Sequence, residues 1–273
     1  MPTNRHPGTP FAHPHGVLAF AHRGERGHYP ENTMLAFDNA VALGVDALEI
    51  DVHATADGEI VVIHDPTVNR TTNGHGCVRD MTLAELQLLD AGFHWTNDRG
   101  RTFPFRGQGL TIPTLAEVFE TYPDLWINID IKQHDLRIIF PFVRLAYEHN
   151  MIDKVMVGSF DDKTIYFLRE SCPEMATAAS MTEVRRLFLL SKLRLDRLYW
   201  GDAEALQIPE KYGNMRLITR HFVQAAHRND MAVHVWTVNK TADMERLLDL
   251  GVDGIISDYP KRLLRLLNRF ELE

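Results

Sequence analysis

The chain has 273 residues, with 29 Lys and Arg against 37 Asp and Glu, a formal net charge of −8. Apolar residues make up 45% and charged residues 24%, the balance of a globular protein with a sizeable core rather than a fibrous or disordered one. The acidic balance excludes general nucleic-acid binding, which needs a basic stripe, and two cysteines, Cys77 and Cys172, imply no disulfide framework.

Residues 1–16 are rich in Pro and His and carry no apolar run of signal-peptide length. They read as a frayed tail, holding His6, His13 and His15, on a cytoplasmic protein. No later apolar stretch approaches the ~20 residues that span a bilayer.

From residue 17 the chain alternates between β-branched runs and amphipathic stretches. Val17–His22 is expected as a strand, and Thr33–Leu43 as a helix stopped by Gly44, a natural C-terminal cap residue. Asp46–His53 is a second strand. Leu125–Lys132, Val155–Phe160 and Met175–Ser180 follow as strands, each ahead of a helical pattern. Ala205–Ile208 is a short strand, with a helix from about Arg220 to Asn229. Ala232–Asn239 is a strand before the helix Thr241–Leu250, which stops at Gly251. Gly254–Ser257 is the last strand and Lys261–Phe270 the last helix.

Eight β–α units in series point to an α/β chain folded as a TIM (β/α)8 barrel; a doubly wound open sheet is the structural alternative. One segment, about 53–112, breaks the rhythm. It holds a strand at Glu59–His64, turn-rich sequence and a helical piece near Leu83–Leu89. This predicts a small insertion subdomain after the second strand, inside one domain spanning 17–273.

The C-terminal ends of barrel strands carry active sites. The first strand ends in His22-Arg23-Gly24: an imidazole for acid–base work and a guanidinium for an anion, or simply a turn. In the second strand, side chains alternate, so Glu49, Asp51 and His53 share a face. Two inward carboxylates need a divalent metal or a cation pair; solvated acids on an edge strand would need neither. Asp130 and Lys132 share a face of the third strand, where Lys132 either neutralises Asp130 or joins a site. Three oxygen ligands with open positions suit Mg²⁺ or Ca²⁺ better than Zn²⁺. The inserted strand ends in His64-Asp65, a second imidazole at a strand end. There is no P-loop, GxGxxG or nucleophile elbow.

These pieces resemble the glycerophosphodiester phosphodiesterase family. The matching residues are His22-Arg23-Gly24, Glu31-Asn32-Thr33, Glu49-Ile50-Asp51-Val52, Thr55-x-Asp57-Gly58 and Val62-x-His64-Asp65. They continue with Arg70-Thr71-Thr72, Ile112-Pro113-Thr114-Leu115, Asn128-Ile129-Asp130-Ile131-Lys132 and Gly158-Ser159-Phe160. Trp236-Thr237-Val238-Asn239 and the run Gly251–Pro260 complete the series. The resemblance implies a TIM barrel that hydrolyses a glycerophosphodiester to glycerol 3-phosphate and an alcohol with one divalent cation. It implies that Glu49, Asp51 and Asp130 hold the metal and that His22 and His64 are the acid–base pair. Arg23 and Lys132 would hold the phosphate, and Trp236 would line the substrate site. Attack by water and attack by the glycerol 2-hydroxyl both remain open. Asp130 is often Glu in the family; Asp also occurs in members resembling lysophospholipase D enzymes.

Residues 184–200 are basic and apolar inside an acidic chain. They follow the fifth barrel strand. They read either as an ordinary outer helix or as a segment that covers an acyl chain or rests peripherally on an anionic membrane. A lysophospholipid is therefore the alternative substrate.

Overall fold

In the computed structural model, residue 11 and residues 16–270 are described; His6, His13 and His15 of the expected tail lie outside them. The elements follow the expected alternation. β1 (Leu18–His22) leads to α1 (Met34–Ala42), and the Thr33 hydroxyl caps that helix by accepting from the Ala36 N–H. Gly44 then takes φ 81°, a left-handed conformation that only glycine adopts without strain, and turns the chain into β2 (Ala47–Ala54).

β3 (Ile60–Val62) folds back antiparallel on β2, pairing Val62 with Val52. With α2 (Leu83–Gln87) it buries a small core of its own, including Val61, Val68, Val78, Leu86 and Ile112. The chain rejoins the main rhythm at α3 (Leu115–Thr121). Thr82 and Thr114 open α2 and α3 with reciprocal hydrogen bonds to Glu85 and Glu117.

β4 (Trp126–Ile131), α4 (Ile139–Glu148), β5 (Val155–Gly158), α5 (Asp162–Ser171), β6 (Ala176–Thr177) and α6 (Met181–Lys192) follow. Then come β7 (Ala205–Pro209), a hairpin of β8 (Lys211–Tyr212) and β9 (Met215–Arg216), and α7 (Arg220–His227). β10 (Ala232–Trp236), α8 (Thr241–Leu250), β11 (Gly254–Ser257) and α9 (Pro260–Leu266) end the described chain.

Eight strands run parallel in the order β6-β5-β4-β2-β1-β11-β10-β7, with β3 attached to β2. The seam between β6 and β7 is bridged by Glu204 N–H to Thr177 O at 3.0 Å and Ala179 N–H to Ala205 O at 2.8 Å. The result is a nearly closed TIM barrel, and the open-sheet alternative falls. β6 is shorter than the expected 175–180. The chain beyond it makes a single bridge to Ala205, and Ser180 then caps α6. The β8–β9 hairpin is not expected from sequence: Gly213-Asn214 is a hairpin turn pair, but its two-residue strands are too short to show alternation.

The larger core lies between strands and helices and is built from the outward residues of the strands, such as Leu48, Ile50, Val52, Ile127 and Ile129. A second core fills the barrel base. Leu18, Ala47, Ala205 and Ala232, the first residues of four strands, surround Phe20 and Phe11. Phe11 corrects the picture of a frayed tail at that position. It is fully buried, with ring centroids 6.1 Å from Phe20 and 6.0 Å from Trp126. Small alanines around the lumen leave space that an aromatic ring from the tail fills.

Candidate active site

Strand register gathers the site. His22 at the end of β1 pairs with Glu49 of β2, and Asp51 pairs with Asp130 of β4. The period-2 alternation turns these side chains into the lumen at the C-terminal mouth, away from the apolar shell. Arg23 follows in a left-handed conformation, φ 53°. Its N–H lies 2.7 Å from the Glu49 carbonyl and 3.1 Å from Glu49 Oε2. Gly24 has φ 77°, and a Cβ there would meet the Ala36 Cβ at 2.7 Å, so the turn requires glycine.

Asp51 is the best-held carboxylate. Its side chain is 1% exposed; Oδ2 lies 3.0 Å from Arg23 Nε and accepts from Asn32 Nδ2 at 3.0 Å. Lys132 Nζ stands 3.1 Å from Asp51 Oδ1 and 2.6 Å from Asp130 Oδ2. Burial works to raise the Asp51 carboxyl, but Lys132 and Arg23 outweigh it and hold it below the ordinary range. Burial also dominates at Glu49. With the Asp51 charge beside it, that carboxyl is pushed up to about 7, against the pull of His22 and Arg23. Asp130 is likewise raised by burial, which Lys132 only partly offsets. Lys132 is itself held above its usual value: burial disfavours its charge, and Asp130 and Asp51 more than restore it.

The two imidazoles are each backed by a carboxylate. His22 Nδ1 is 2.6 Å from Asp258 Oδ1, while Nε2 faces inward, 3.8 Å from Glu49 Oε2. His64 Nδ1 is 2.6 Å from Asp65 Oδ1, and Arg70 grips the same carboxylate at 2.6 and 3.1 Å. Arg23 and Arg70 share Glu31, whose carboxyl is brought far down by these guanidiniums despite burial.

All eight expected site residues, His22, Arg23, Glu49, Asp51, His64, Asp130, Lys132 and Trp236, line one cavity of about 460 Å³. His53 does not. Its Nε2 lies 3.1 Å from the His64 carbonyl, so it supports the strand end behind the site. Ser159 lines the cavity, with Oγ donating to the Ile131 carbonyl at 2.8 Å. Sequence reasoning missed roles for Asp65, Asp258, Glu31, Arg70 and the cavity residue Arg26, although all but Arg26 lie in the quoted motif pieces.

The cavity has two faces. One is charged; the other carries Phe160, Met181, Val184, Ile208, Leu217 and Trp236. The segment 184–200 is accordingly divided. Val184 reaches the cavity, as helices in this architecture begin at the strand ends that carry the site. Leu189, Leu193, Leu195, Leu198 and Trp200 instead lie along the outer flank, between 46% and 67% exposed.

Among the described residues, no three His, Cys, Asp or Glu side chains converge closely enough to enclose one ion. The donor chemistry nevertheless fits a hard divalent cation. Asp130 Oδ1 is buried with no hydrogen-bond partner, and Asp51 Oδ1 has only its ion pair with Lys132.

Comparison with known proteins agrees with this geometry. Residues 22–262 match the Glycerophosphoryl diester phosphodiesterase family. A glycerophosphodiester phosphodiesterase of Caldanaerobacter subterraneus subsp. tengcongensis is 36% identical, over 93% of this chain and 98% of that one. A lysophospholipase D of Mus musculus is 28% identical over 92% of this chain and 85% of that one. An Oleispira antarctica phosphodiesterase, solved with the product sn-glycerol-3-phosphate, superposes with a TM-score of 0.76 at 27% identity, covering 94% of this chain and 99% of that one.

Proposed function

The chain belongs to the glycerophosphoryl diester phosphodiesterase family, and from that premise we propose that it hydrolyses glycerophosphodiesters to glycerol 3-phosphate and an alcohol, with His22 and His64 as the acid–base pair. The observation that carries this reading is the convergence of two imidazoles, three carboxylates and three cationic side chains on one cavity.

A phosphodiester is an anion and repels an attacking oxygen. Arg23 and Lys132 offset that repulsion where charge grows on the non-bridging oxygens. One imidazole takes the proton of the nucleophile, and the other protonates the departing alkoxide. Each ring is held by a carboxylate on Nδ1, which leaves Nε2 for the proton transfer. Glu49, Asp51 and Asp130 are the residues that would hold one Mg²⁺ or Ca²⁺. When bound, the cation supplies Lewis-acid stabilisation of the phosphoryl oxygens. The apolar face beside Trp236 favours a second substrate of the same site, a lysophospholipid whose acyl chain would lie along Met181, Val184 and Leu217.

The test is release of glycerol 3-phosphate from glycerophosphocholine, and of lysophosphatidic acid from lysophosphatidylcholine, in Mg²⁺, Ca²⁺ and EDTA. The first substrate should turn over faster, and EDTA should abolish both reactions. Release undiminished by EDTA would remove the metal; no release from either would remove the reaction.

The same reading extends to location. Cys77 and Cys172 are free thiols, which fits the reducing cytoplasm. No helix among the described residues is long and apolar enough to cross a membrane. Leu189, Leu193, Leu195, Leu198 and Trp200 are interleaved with exposed Lys192, Arg194 and Arg197. Two of the acids nearby are already paired, Glu183 with Arg169 and Asp196 with Arg228, and the exposed Asp202 is outnumbered by the three cations. This flank suits peripheral contact with an anionic bilayer. Sedimentation with phosphatidylglycerol vesicles, but not phosphatidylcholine vesicles, is the expected outcome.

A further inference from the structure

Asp258 lies 236 positions from His22 in sequence, yet its Oδ1 is 2.6 Å from His22 Nδ1. Its own orientation is fixed by Asn239. The Asp258 N–H donates to Asn239 Oδ1 at 2.9 Å, which sets that amide with its oxygen toward the backbone. Asn239 Nδ2 is therefore the atom that donates to Asp258 Oδ2, at 2.7 Å. Ser257 Oγ also donates to Asn239 Oδ1, at 3.2 Å. Arg26 Nε is 3.7 Å from Asp258 Oδ1, and Gly27 N–H donates to the Asp258 carbonyl at 3.1 Å. The carboxylate is thus locked by partners from the chain after β10, the end of β11 and the loop after β1.

We propose that Asn239 and Asp258 form a positioning relay that fixes His22 in the tautomer with the proton on Nδ1 and Nε2 turned to the substrate. A carboxylate only accepts hydrogen bonds, so the nitrogen beside it carries the proton. The ring then presents Nε2 to the cavity whether His22 begins the cycle as acid or as base. The relay also blocks rotation about the side chain, which would carry Nε2 away from the reacting atoms. His64 has a different arrangement: its partner Asp65 is gripped by the Arg70 guanidinium rather than by a neutral amide. The two imidazoles are therefore held by distinct devices.

This inference rests on the hydrolase reading above, and its test separates the two. In Asp258→Asn, Asn239 Nδ2 still needs an acceptor, so the new amide keeps its oxygen toward Asn239. Its NH₂ then faces His22 Nδ1 and forces the proton onto Nε2. The expected result is a kcat lower by about a hundredfold or more, as wrong-tautomer variants of hydrolases show. KM should stay within about threefold. The double variant Asp258→Asn, Asn239→Asp reverses the pattern. The carboxylate now at position 239 accepts from the amide now at position 258. The oxygen of that amide then faces His22 Nδ1, and most of the kcat should return. A merely structural role would not be rescued by this exchange.

Nitrogen-15 spectra of the imidazoles give a readout that needs no substrate. His22 should show a protonated Nδ1 in the wild-type protein and in the double variant, and a protonated Nε2 in Asp258→Asn. A wild-type His22 protonated on Nε2 but not on Nδ1, or an Asp258→Asn variant with kcat within threefold of wild type, overturns the relay. A wild-type protein without hydrolysis but with the expected spectra removes the reaction and leaves the positioning intact.

Discussion

His234 offers a stability test worked directly from its surroundings. The ring is fully buried in the barrel, 4.9 Å from the Phe20 ring. Its Nε2 lies 3.1 Å from the Phe11 carbonyl, and the Gln207 amide nitrogen lies 3.4 Å from Nδ1. The neutral tautomer with the proton on Nε2 satisfies both contacts. A second proton on Nδ1 would meet a donor. Burial is the main cause that brings the imidazole down from 6.5 to about 4, with Asp253 opposing it weakly. The folded state therefore refuses a proton that the unfolded chain takes up as pH falls below about 6.5.

His234 accordingly does not reduce stability above about pH 7. It destabilises progressively as pH falls from about 6.5 to about 4, and the loss levels off below that. The full span is worth about 3 kcal/mol, and about 2 kcal/mol is lost by pH 5. Urea unfolding at pH 7.5 and pH 5 measures it, comparing wild type with His234→Leu. Subtracting the two pH effects removes the contribution of every other titrating group. The wild-type protein should lose about 2 kcal/mol more than the variant between the two pH values. Equal losses would refute the claim that this imidazole is held neutral.

Two further outcomes rest on buried contacts. Phe11→Ala empties the barrel base beneath Phe20 and Trp126 and should cost about 3–5 kcal/mol by urea unfolding. A loss under about 1 kcal/mol would show that the ring does not fill the lumen. Lys132→Met leaves Asp51 and Asp130 without their shared ammonium. It should lower stability by about 3 kcal/mol and kcat/KM by at least about a hundredfold, read by urea unfolding and product release. Wild-type stability in that variant would mean the two acids are paired some other way.

The barrel was legible because its signals are local. β-branched runs, amphipathic stretches, Thr33 before and Gly44 after one helix, and Gly251 after another each act within a few residues. The inward placement of Glu49, Asp51 and Asp130 was equally legible, since alternation along a strand follows from backbone geometry alone. Motif order then identified the family. What the sequence could not determine depended on which strands become neighbours and how far a side chain reaches.

Sequence by itself thus determined the strand faces, the list of charged groups and the family to which they belong. Tertiary structure decided the partners. Lys132 could have served Asp130 alone, and only the register of β2 beside β4 lets it stand between two acids. Asp258 and Asn239 stood in motif pieces, but nothing local showed their partners, because parallel strands distant in the chain meet only when the barrel closes. Phe11 looked like part of a loose tail until the alanine-lined base was formed to receive it. Residues 184–200 gave one basic, apolar composition; the fold set Val184 at the cavity and Leu189 to Trp200 on the flank. In each case the cause is the same. Backbone periodicity fixes direction within an element, while contact across elements depends on closure of the whole sheet.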